Sequence, residues 1–201
     1  MGLLREALGA LEDGPDDERE QDLNRRLYRS IVAAQVRAAR EETEQVSVVV
    51  PEGRNPPVAS DEQRGAREHK IPDFYWAYID HLASDPAAAA RQFVVECKRL
   101  TTATRNWSYT RQYIEGGVMR FLSEAHGYGK AAPSGAMVGY LQALDADQAL
   151  TEVNASATAN NLPRLTLRTQ RDGEPIELDH RLDRPFEQSP FLLMHLWSSR
   201  S

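Results

Sequence analysis

The sequence predicts an α/β fold in which helices flank a mixed sheet. Apolar residues recur at helical spacing in one long segment, and short runs rich in valine, isoleucine and aromatic residues are spread along the rest of the chain. An Asp-Gly turn signal also separates two of these runs near the C-terminus. With 201 residues, 41% of them apolar, the chain can build one hydrophobic core. We expect an acidic N-terminal segment, 1–16, followed by a single domain, 17–201.

Two helices are predicted in the N-terminal part. Residues 1–17 favour a short helix that ends at Gly14-Pro15, and residues 17–42 give the strongest helical pattern. The second helix has an apolar stripe made of Leu23, Leu27, Ile31 and Ala34.

Three strands are predicted next. Residues 46–50 form the first, and a polar loop, 51–67, follows it. Residues 71–80 and 92–99 form the other two, and the short connection between them favours an antiparallel pair.

A helix over 106–126, capped by Asn106 or Ser108, opens the C-terminal half. Gly116-Gly117 inside it costs roughly 1 kcal/mol per glycine relative to alanine, which close packing on the sheet or close approach of a substrate backbone would explain. The remaining predicted elements are a strand at 136–142, a helix at 145–160, a hairpin of strands 164–169 and 176–181, and a buried or edge strand at 191–197.

Charge is distributed unevenly along the chain. The net charge is −6, and residues 1–22 contain eight acids and two arginines, so this segment alone carries −6. Residues 98–130 contain six bases and two acids. This local excess is typical of a groove that holds phosphates, and a solvated helix face is the alternative. The six bases are Lys98, Arg99, Arg105, Arg111, Arg120 and Lys130.

Several classes of protein are disfavoured by what the sequence lacks. One cysteine excludes an internal disulfide framework, and no signal peptide or apolar run long enough to span a membrane is visible, so we expect a cytoplasmic protein. The sequence contains no phosphate-binding P-loop, no zinc-ligand spacing and no Gly-x-Ser-x-Gly motif. His195 lies in an apolar run, which favours a core histidine.

The most specific pattern is Pro72-Asp73 followed by Glu96-Cys97-Lys98. On a strand, side chains alternate between faces, so Glu96 and Lys98 point to one side and Cys97 to the other. If Asp73 lies on the neighbouring strand, its carboxylate meets that of Glu96. Two carboxylates and one ammonium on a rigid sheet suit a Mg²⁺-dependent phosphodiester hydrolase.

This pattern, together with the order of elements over roughly residues 18–199, resembles the PD-(D/E)xK nuclease superfamily and implies a restriction-endonuclease-like core. The resemblance implies that Asp73 and Glu96 hold Mg²⁺, or Mn²⁺ in its place, with the backbone carbonyl of Cys97. Lys98 would orient or deprotonate the attacking water, or steady the phosphate. Glu20 resembles a first-helix glutamate that approaches the metal in many members, and an exposed helix-start acid is the alternative.

Two further segments, 113–121 and 135–140, resemble nucleases of bacterial restriction and anti-phage systems. The resemblance implies that Tyr113 and Arg120 support a phosphate or the metal site, and a structural role for each stays open. We therefore expect an endonuclease that acts on DNA more readily than on RNA. The small size of the chain suits a nuclease that is directed by a partner subunit or forms a homodimer. The alternatives are a catalytically weak or inactive domain that binds nucleic acid or a partner subunit, and a plain α/β domain in which Glu96 and Lys98 form a surface ion pair.

Overall fold

The computed structural model describes residues 1–11, 18–40, 48–54, 69–82, 89–104, 107–186 and 188–199. In this part of the chain, a seven-stranded mixed sheet has the strand order β1-β2-β3-β4-β7-β6-β5, which confirms the predicted α/β class. The helices are α1 (Gly2–Gly9), α2 (Glu20–Arg40), α3 (Tyr109–Ile114) and α4 (Ala146–Ala159). The strands are β1 (Val49–Pro51), β2 (Phe74–Ile79), β3 (Ala90–Leu100), β4 (Ser134–Leu141), β5 (Thr166–Thr169), β6 (Ile176–Leu182) and β7 (Phe191–Ser199).

The first three strands form an antiparallel meander. β2 pairs with β3 from Phe74 opposite Val95 to Ile79 opposite Ala90, as the short connection predicted. β4 then lies parallel to β3, and β7 lies parallel to β4. β6 joins β7 and β5 in antiparallel pairs. The last apolar run is therefore an interior strand, the buried one of the two predicted alternatives.

Two hydrophobic clusters cover the two faces of the sheet. Helices α1 and α2 bury one face, and the predicted α2 stripe of Leu23, Leu27, Ile31 and Ala34 is fully buried there. Helices α3 and α4 bury the other face with residues such as Ile114. Helix α1 belongs to the first cluster, because its Leu4, Ala7 and Leu8 are also buried. The N-terminal helix thus packs on the core through its apolar residues.

The single helix predicted over 106–126 is wrong. Helix α3 ends at Ile114, and a 3₁₀ helix, Val118–Phe121, follows three turn residues. A Cβ on Gly117 would lie 2.5 Å from the Met137 side chain and 2.6 Å from the Tyr113 carbonyl oxygen. The glycine therefore serves close packing on β4, and the chain leaves helical geometry to achieve it. Ser108, one of the two predicted caps, accepts from the Arg111 amide.

Some predictions fall on parts of the chain that the structure does not describe. Gly14-Pro15, most of the loop 51–67, Arg105 and Asn106 all lie outside the described residues. Within the described residues, no helix is both long enough and apolar enough to cross a lipid bilayer.

Candidate active site

The edge of β3 is uncovered where the candidate site forms. β2 begins at Phe74, opposite Val95, so Glu96–Leu100 pair only with β4. Two carboxylates take the place of the missing strand. Asp73 Oδ2 accepts from the Cys97 amide at 2.7 Å, and Glu20 Oε2 accepts from the Arg99 amide at 3.2 Å. The backbone amides at this edge thus bind one carboxylate from the residue before β2 and another from α2, so the two acids lie close together.

The Lys98 ammonium lies in a cage of three oxygens. Its Nζ is 2.7 Å from the Cys97 carbonyl oxygen, 2.8 Å from Glu96 Oε1 and 3.3 Å from Glu20 Oε1. All three N–H donors of the ammonium can be used in this way. The predicted shared face of Glu96 and Lys98 is confirmed. Cys97, in contrast, is buried with the cluster under α1 and α2. A cation therefore occupies the meeting point of two carboxylates and the carbonyl.

Glu96 keeps one oxygen without a partner. Its Oε1 accepts from Lys98 and also from Arg120 Nη1, at 2.5 Å. Its Oε2 is buried and has no hydrogen-bond partner among the described residues. Tyr128 also lies close to Arg120 and contributes to raising the pKa of its guanidinium. A buried carboxylate oxygen without a hydrogen-bond donor destabilises the folded protein. A ligand that binds next to this oxygen would explain why it is present.

Burial and crowding change the acid–base behaviour of the site. Burial, and next the charge of Asp73, raise the pKa of Glu96 to about 7, against the lowering effect of Lys98 and Arg120. Burial also raises the pKa of Asp73. Burial lowers the pKa of Lys98, but the charges of Glu96, Glu20 and Asp73 outweigh it, so the pKa is raised. Lys98 therefore stays protonated in this arrangement, and of its predicted roles, orienting water or steadying phosphate suits it better than deprotonating water.

Asn24 and Tyr140 hold Asp73 in place. Asn24 Nδ2 donates to Asp73 Oδ1 at 3.0 Å, and the Tyr140 hydroxyl donates to Asn24 Oδ1 at 2.9 Å. The Glu18 carbonyl oxygen, close to Glu20, accepts from Gln142 Nε2 at 3.1 Å. These contacts tie the start of α2 to the sheet. The sequence pattern could have indicated Asn24 as a site residue, because together with Glu20 it continues the α2 stripe. No pattern in the sequence indicates Tyr128, Tyr140 or Gln142.

The donor set of the site fits a magnesium ion. Within the described residues, no three or more His, Cys, Asp or Glu side chains form a metal centre by themselves. Mg²⁺, however, is usually bound by one or two carboxylates and completes its octahedron with waters and substrate phosphates. Asp73, Glu96 and the Cys97 carbonyl supply such a set, and the unpartnered Glu96 Oε2 is an oxygen that such an ion would satisfy.

The predicted nucleic-acid contacts have different outcomes. The prediction that Tyr113 supports a phosphate or the metal site is corrected, because this residue is fully buried. Its hydroxyl lies between Trp197 Nε1, 2.8 Å away, and His195 Nδ1, 2.7 Å away. Such a hydroxyl cannot reach a phosphate or the metal site. Arg120, in contrast, lies at Glu96, on the 3₁₀ helix.

The other predicted bases have different environments, and of these Arg99 lies beside the site, where its amide contacts Glu20. Arg99 is half-buried, and its guanidinium lies 5.8 Å from the centroid of the Trp107 ring. Arg111 is exposed and pairs with Glu115 at 2.8 Å. Lys130 is half-buried in the loop before β4. The structure therefore leaves Arg111 as an accessible member of the basic segment, and Arg105 lies outside the described residues.

Comparison with known proteins adds no relative. No family model, curated protein or solved structure matches the chain. The resemblance to the PD-(D/E)xK superfamily therefore stays a prediction.

Proposed function

We propose that this protein is a metal-dependent phosphodiester hydrolase, an endonuclease that acts on nucleic acid, on DNA more readily than on RNA. The observation that carries the proposal is the cluster at the edge of β3. Glu96 and the Cys97 carbonyl contact one cation, Lys98, and Asp73 accepts from the Cys97 amide beside them. Glu96 Oε2 is buried and has no hydrogen-bond partner among the described residues. A structural ion pair would not need an oxygen left without a donor in the interior.

Each residue has a role in this proposal. Asp73, Glu96 and the Cys97 carbonyl would hold Mg²⁺, or Mn²⁺ in its place, and Glu20 stands beside them through its contact with Lys98. The ion would neutralise the phosphate and activate a water for in-line attack. Lys98, which stays protonated, would leave its present oxygens and donate to the water or to a phosphate oxygen. Arg120 would balance the charge of Glu96.

The biological setting follows from the resemblance alone. It supports a cytoplasmic bacterial nuclease that serves as the effector of a restriction or antiviral (anti-phage) defence system. The described residues include no separate sequence-reading unit beside the single sheet. A partner subunit or a second copy of the chain would then supply the targeting.

A second candidate function is an inactive domain that binds nucleic acid or a partner subunit. One observation favours it: Lys98 and Arg120 both contact Glu96 Oε1, so two cations already neutralise the carboxylate. If the ammonium holds this position permanently, no metal enters and the site is a buried ion cluster. The acidic residues 1–22 would then suit the docking of a partner.

The test is cleavage of plasmid and linear DNA in Mg²⁺, Mn²⁺ or EDTA. We expect the wild type to cut with either metal and not in EDTA, and Glu96→Ala and Lys98→Ala to lose the activity while staying folded. Glu177→Gln is the matched control, because it alters another buried glutamate that pairs with an arginine, Arg5. DNA binding without cutting, under every metal, would reject the nuclease and favour the inactive domain.

A further inference from the structure

A cavity of about 510 Å³ lies beside the candidate site, between α2 and the turn that joins β1 to the following loop. Its volume is in the range of small-molecule sites, roughly 300–1,000 Å³. One wall is a polar face of α2, and the other is formed by Pro51, Glu52 and the start of β2. The side chains of α2 that line it are Gln21, Asn24, Arg25, Tyr28 and Arg29.

The cavity and the candidate site share Asp73. Asp73 lines the cavity, where Asn24 donates to its Oδ1, while its Oδ2 accepts from the Cys97 amide at the edge of β3. The Glu52 amide donates to the Asp73 carbonyl at 2.9 Å, so the floor of the cavity is tied to the same residue. A nucleic-acid strand that binds at Asp73 would therefore place its next nucleotide in the cavity.

Two arginines, Arg25 and Arg29, line the cavity on α2, opposite the acids Glu52 and Asp73. Arg29 is exposed, and none of the ion pairs among the described residues involves it. Arg25 pairs with Asp22 at 2.9 Å, but both side chains are largely exposed, so solvent screens the pair. Because Arg29 lines the cavity and forms no ion pair with another described residue, it can bind an anion from solution.

The same wall carries an aromatic ring and neutral hydrogen-bonding groups. Tyr28 is half-buried and packs against the core next to α2, so its position is fixed. Gln21 lies two helical turns before it on the same face, and its amide can donate and accept. An aromatic ring, an amide and a guanidinium group are suited to bind a stacked base together with its phosphate.

We propose that this cavity binds one nucleotide unit of a single-stranded nucleic acid, next to the phosphodiester held at Asp73 and Glu96. The base lies against Tyr28, and the phosphate of this unit is bound by Arg29 with help from Arg25. The inference rests on the proposed nuclease function, because it treats the phosphodiester at Asp73 as the one that is cut.

The test measures binding and cutting separately. Binding of a short fluorescein-labelled DNA strand, and of an RNA strand of the same sequence, is followed by anisotropy in EDTA at several salt concentrations. We expect Arg29→Glu to weaken binding about tenfold or more, and Arg29→Ala to lower the slope of log affinity against log salt by about 0.7. Tyr28→Phe keeps the ring and should bind like the wild type, whereas Tyr28→Leu should bind several-fold more weakly.

Arg40→Glu is the matched control for Arg29→Glu. Arg40 is also exposed and lies on α2, eleven residues or about 16 Å further along. It should change binding little.

The outcomes separate the two proposals. Binding that is lowered equally by Arg29→Glu and Arg40→Glu, in an enzyme that cuts with Mg²⁺, overturns the nucleotide cavity and leaves the nuclease. Binding that depends on Arg29 and Tyr28 in a protein that never cuts supports the cavity and overturns the nuclease. A wild type that binds neither strand and cuts nothing overturns both.

Discussion

Two buried polar clusters lie in this sheet, and they are built in opposite ways. The charged cluster, at the edge of β3, consists of Glu20, Asp73, Glu96, Lys98 and Arg120. The neutral cluster consists of Tyr113, His180, His195 and Trp197 and lies under α3 and α4. The first is made of ionisable side chains that come from β3, from α2, from the residue before β2 and from the 3₁₀ helix. The second contains only neutral groups, arranged in a chain of hydrogen bonds.

The hydrogen bonds of the neutral cluster run in one direction. Trp197 Nε1 can only donate, so the Tyr113 hydroxyl accepts from it and donates to His195 Nδ1. The His195 proton is then on Nε2. His180 Nε2 donates to the Pro163 carbonyl at 2.8 Å, which leaves Nδ1 as an acceptor. Donor and acceptor are therefore complementary across rings whose centroids lie 5.4 Å apart.

The difference concerns what each cluster still lacks. In the neutral cluster, His180 Nδ1 and His195 Nε2 have no hydrogen-bond partner among the described residues, but one is an acceptor and the other a donor, so one bridging water could satisfy both. In the charged cluster, Glu96 Oε2 has no donor among the described residues, and the pKa of Glu96 is raised by burial and by Asp73. A neutral cluster that a single water would complete serves the fold, whereas a charged cluster that needs a further cation is suited to bind a ligand. The two should therefore respond to substitution in different measurements.

The largest expected effect is the loss of cleavage in Asp73→Asn. The asparagine keeps an acceptor for the Cys97 amide but removes the charge that would hold the metal, so we expect the cleavage rate to fall by about 100- to 1,000-fold or more. The measurement is the initial rate of plasmid cutting in Mg²⁺. Asp80→Asn is the control, because Asp80 lies just past the other end of β2 and pairs with Arg91. Equal rates in the two variants would contradict this role of the charged cluster.

The next effect is on stability, and it belongs to the neutral cluster. Tyr113→Phe removes the hydroxyl that serves both Trp197 and His195, so we expect the free energy of unfolding to fall by about 1–3 kcal/mol, with cleavage unchanged. Urea denaturation measures it. Tyr109→Phe, on the same helix, loses only a bond to Glu152, a side chain at the surface, and should cost about 0.5 kcal/mol. A Tyr113→Phe variant that is stable but inactive would place Tyr113 in the chemistry after all.

The two clusters should respond to acid with opposite signs. Burial lowers the pKa of His180 to about 4, so its contribution to stability is present above about pH 6.5 and is lost as the pH falls toward 4. Glu96 has a raised pKa, about 7, so its contribution is present below about pH 4.5 and is lost as the pH rises through 7. Between pH 7 and 5 the two oppose one another.

Two variants separate these contributions in urea denaturation at pH 5, 6 and 7 without metal. Glu96→Gln removes the opposing group, so its stability should fall more steeply on acidification than that of the wild type. His180→Gln keeps a donor for the Pro163 carbonyl but does not titrate. The stability of this variant should therefore fall less on acidification than that of the wild type. Parallel profiles for all three proteins would contradict the assigned protonation states.

The smallest effect is expected outside both clusters. Arg111 and Glu115 form an exposed pair on adjacent turns of one helical segment. Arg111→Ala should change the free energy of unfolding by less than about 0.5 kcal/mol, because exposed ion pairs contribute little. If Arg111 contacts a phosphate, as the sequence predicts, the variant should bind DNA more weakly and with a smaller salt dependence. A large loss of stability would mean that the pair does more than a surface contact.

The charged cluster was easier to predict than the neutral one. Glu96 and Lys98 lie two residues apart on a strand, and the short connection predicts an antiparallel pair that brings Asp73 close. The contacts of Asn24 with Asp73 and of Tyr140 with Asn24 span 49 and 116 residues. Local periodicity in the sequence cannot predict contacts between residues that lie so far apart along the chain. Tyr113 was misassigned for the same reason, because its partners lie on β7.

The prediction of a single helix over 106–126 was wrong for a different reason. Its apolar spacing is helical, and Ile114, Val118 and Phe121 are indeed buried. The cost of Gly116-Gly117 was visible in the sequence, but the demand for close approach came from Met137 on β4. Packing against a strand therefore decided where the helix ends.

The central claim is that the charged cluster is a divalent-cation site in which Lys98 now holds the cation position. Mn²⁺ binding, followed by the loss of the free-ion signal in electron paramagnetic resonance, tests it most directly, because it needs no substrate and no partner. The wild type should bind Mn²⁺, Mg²⁺ should displace it, and Glu96→Gln should abolish binding while Glu177→Gln leaves it intact. A wild type that binds no Mn²⁺, or a Glu96→Gln variant that binds it equally well, would contradict the claim.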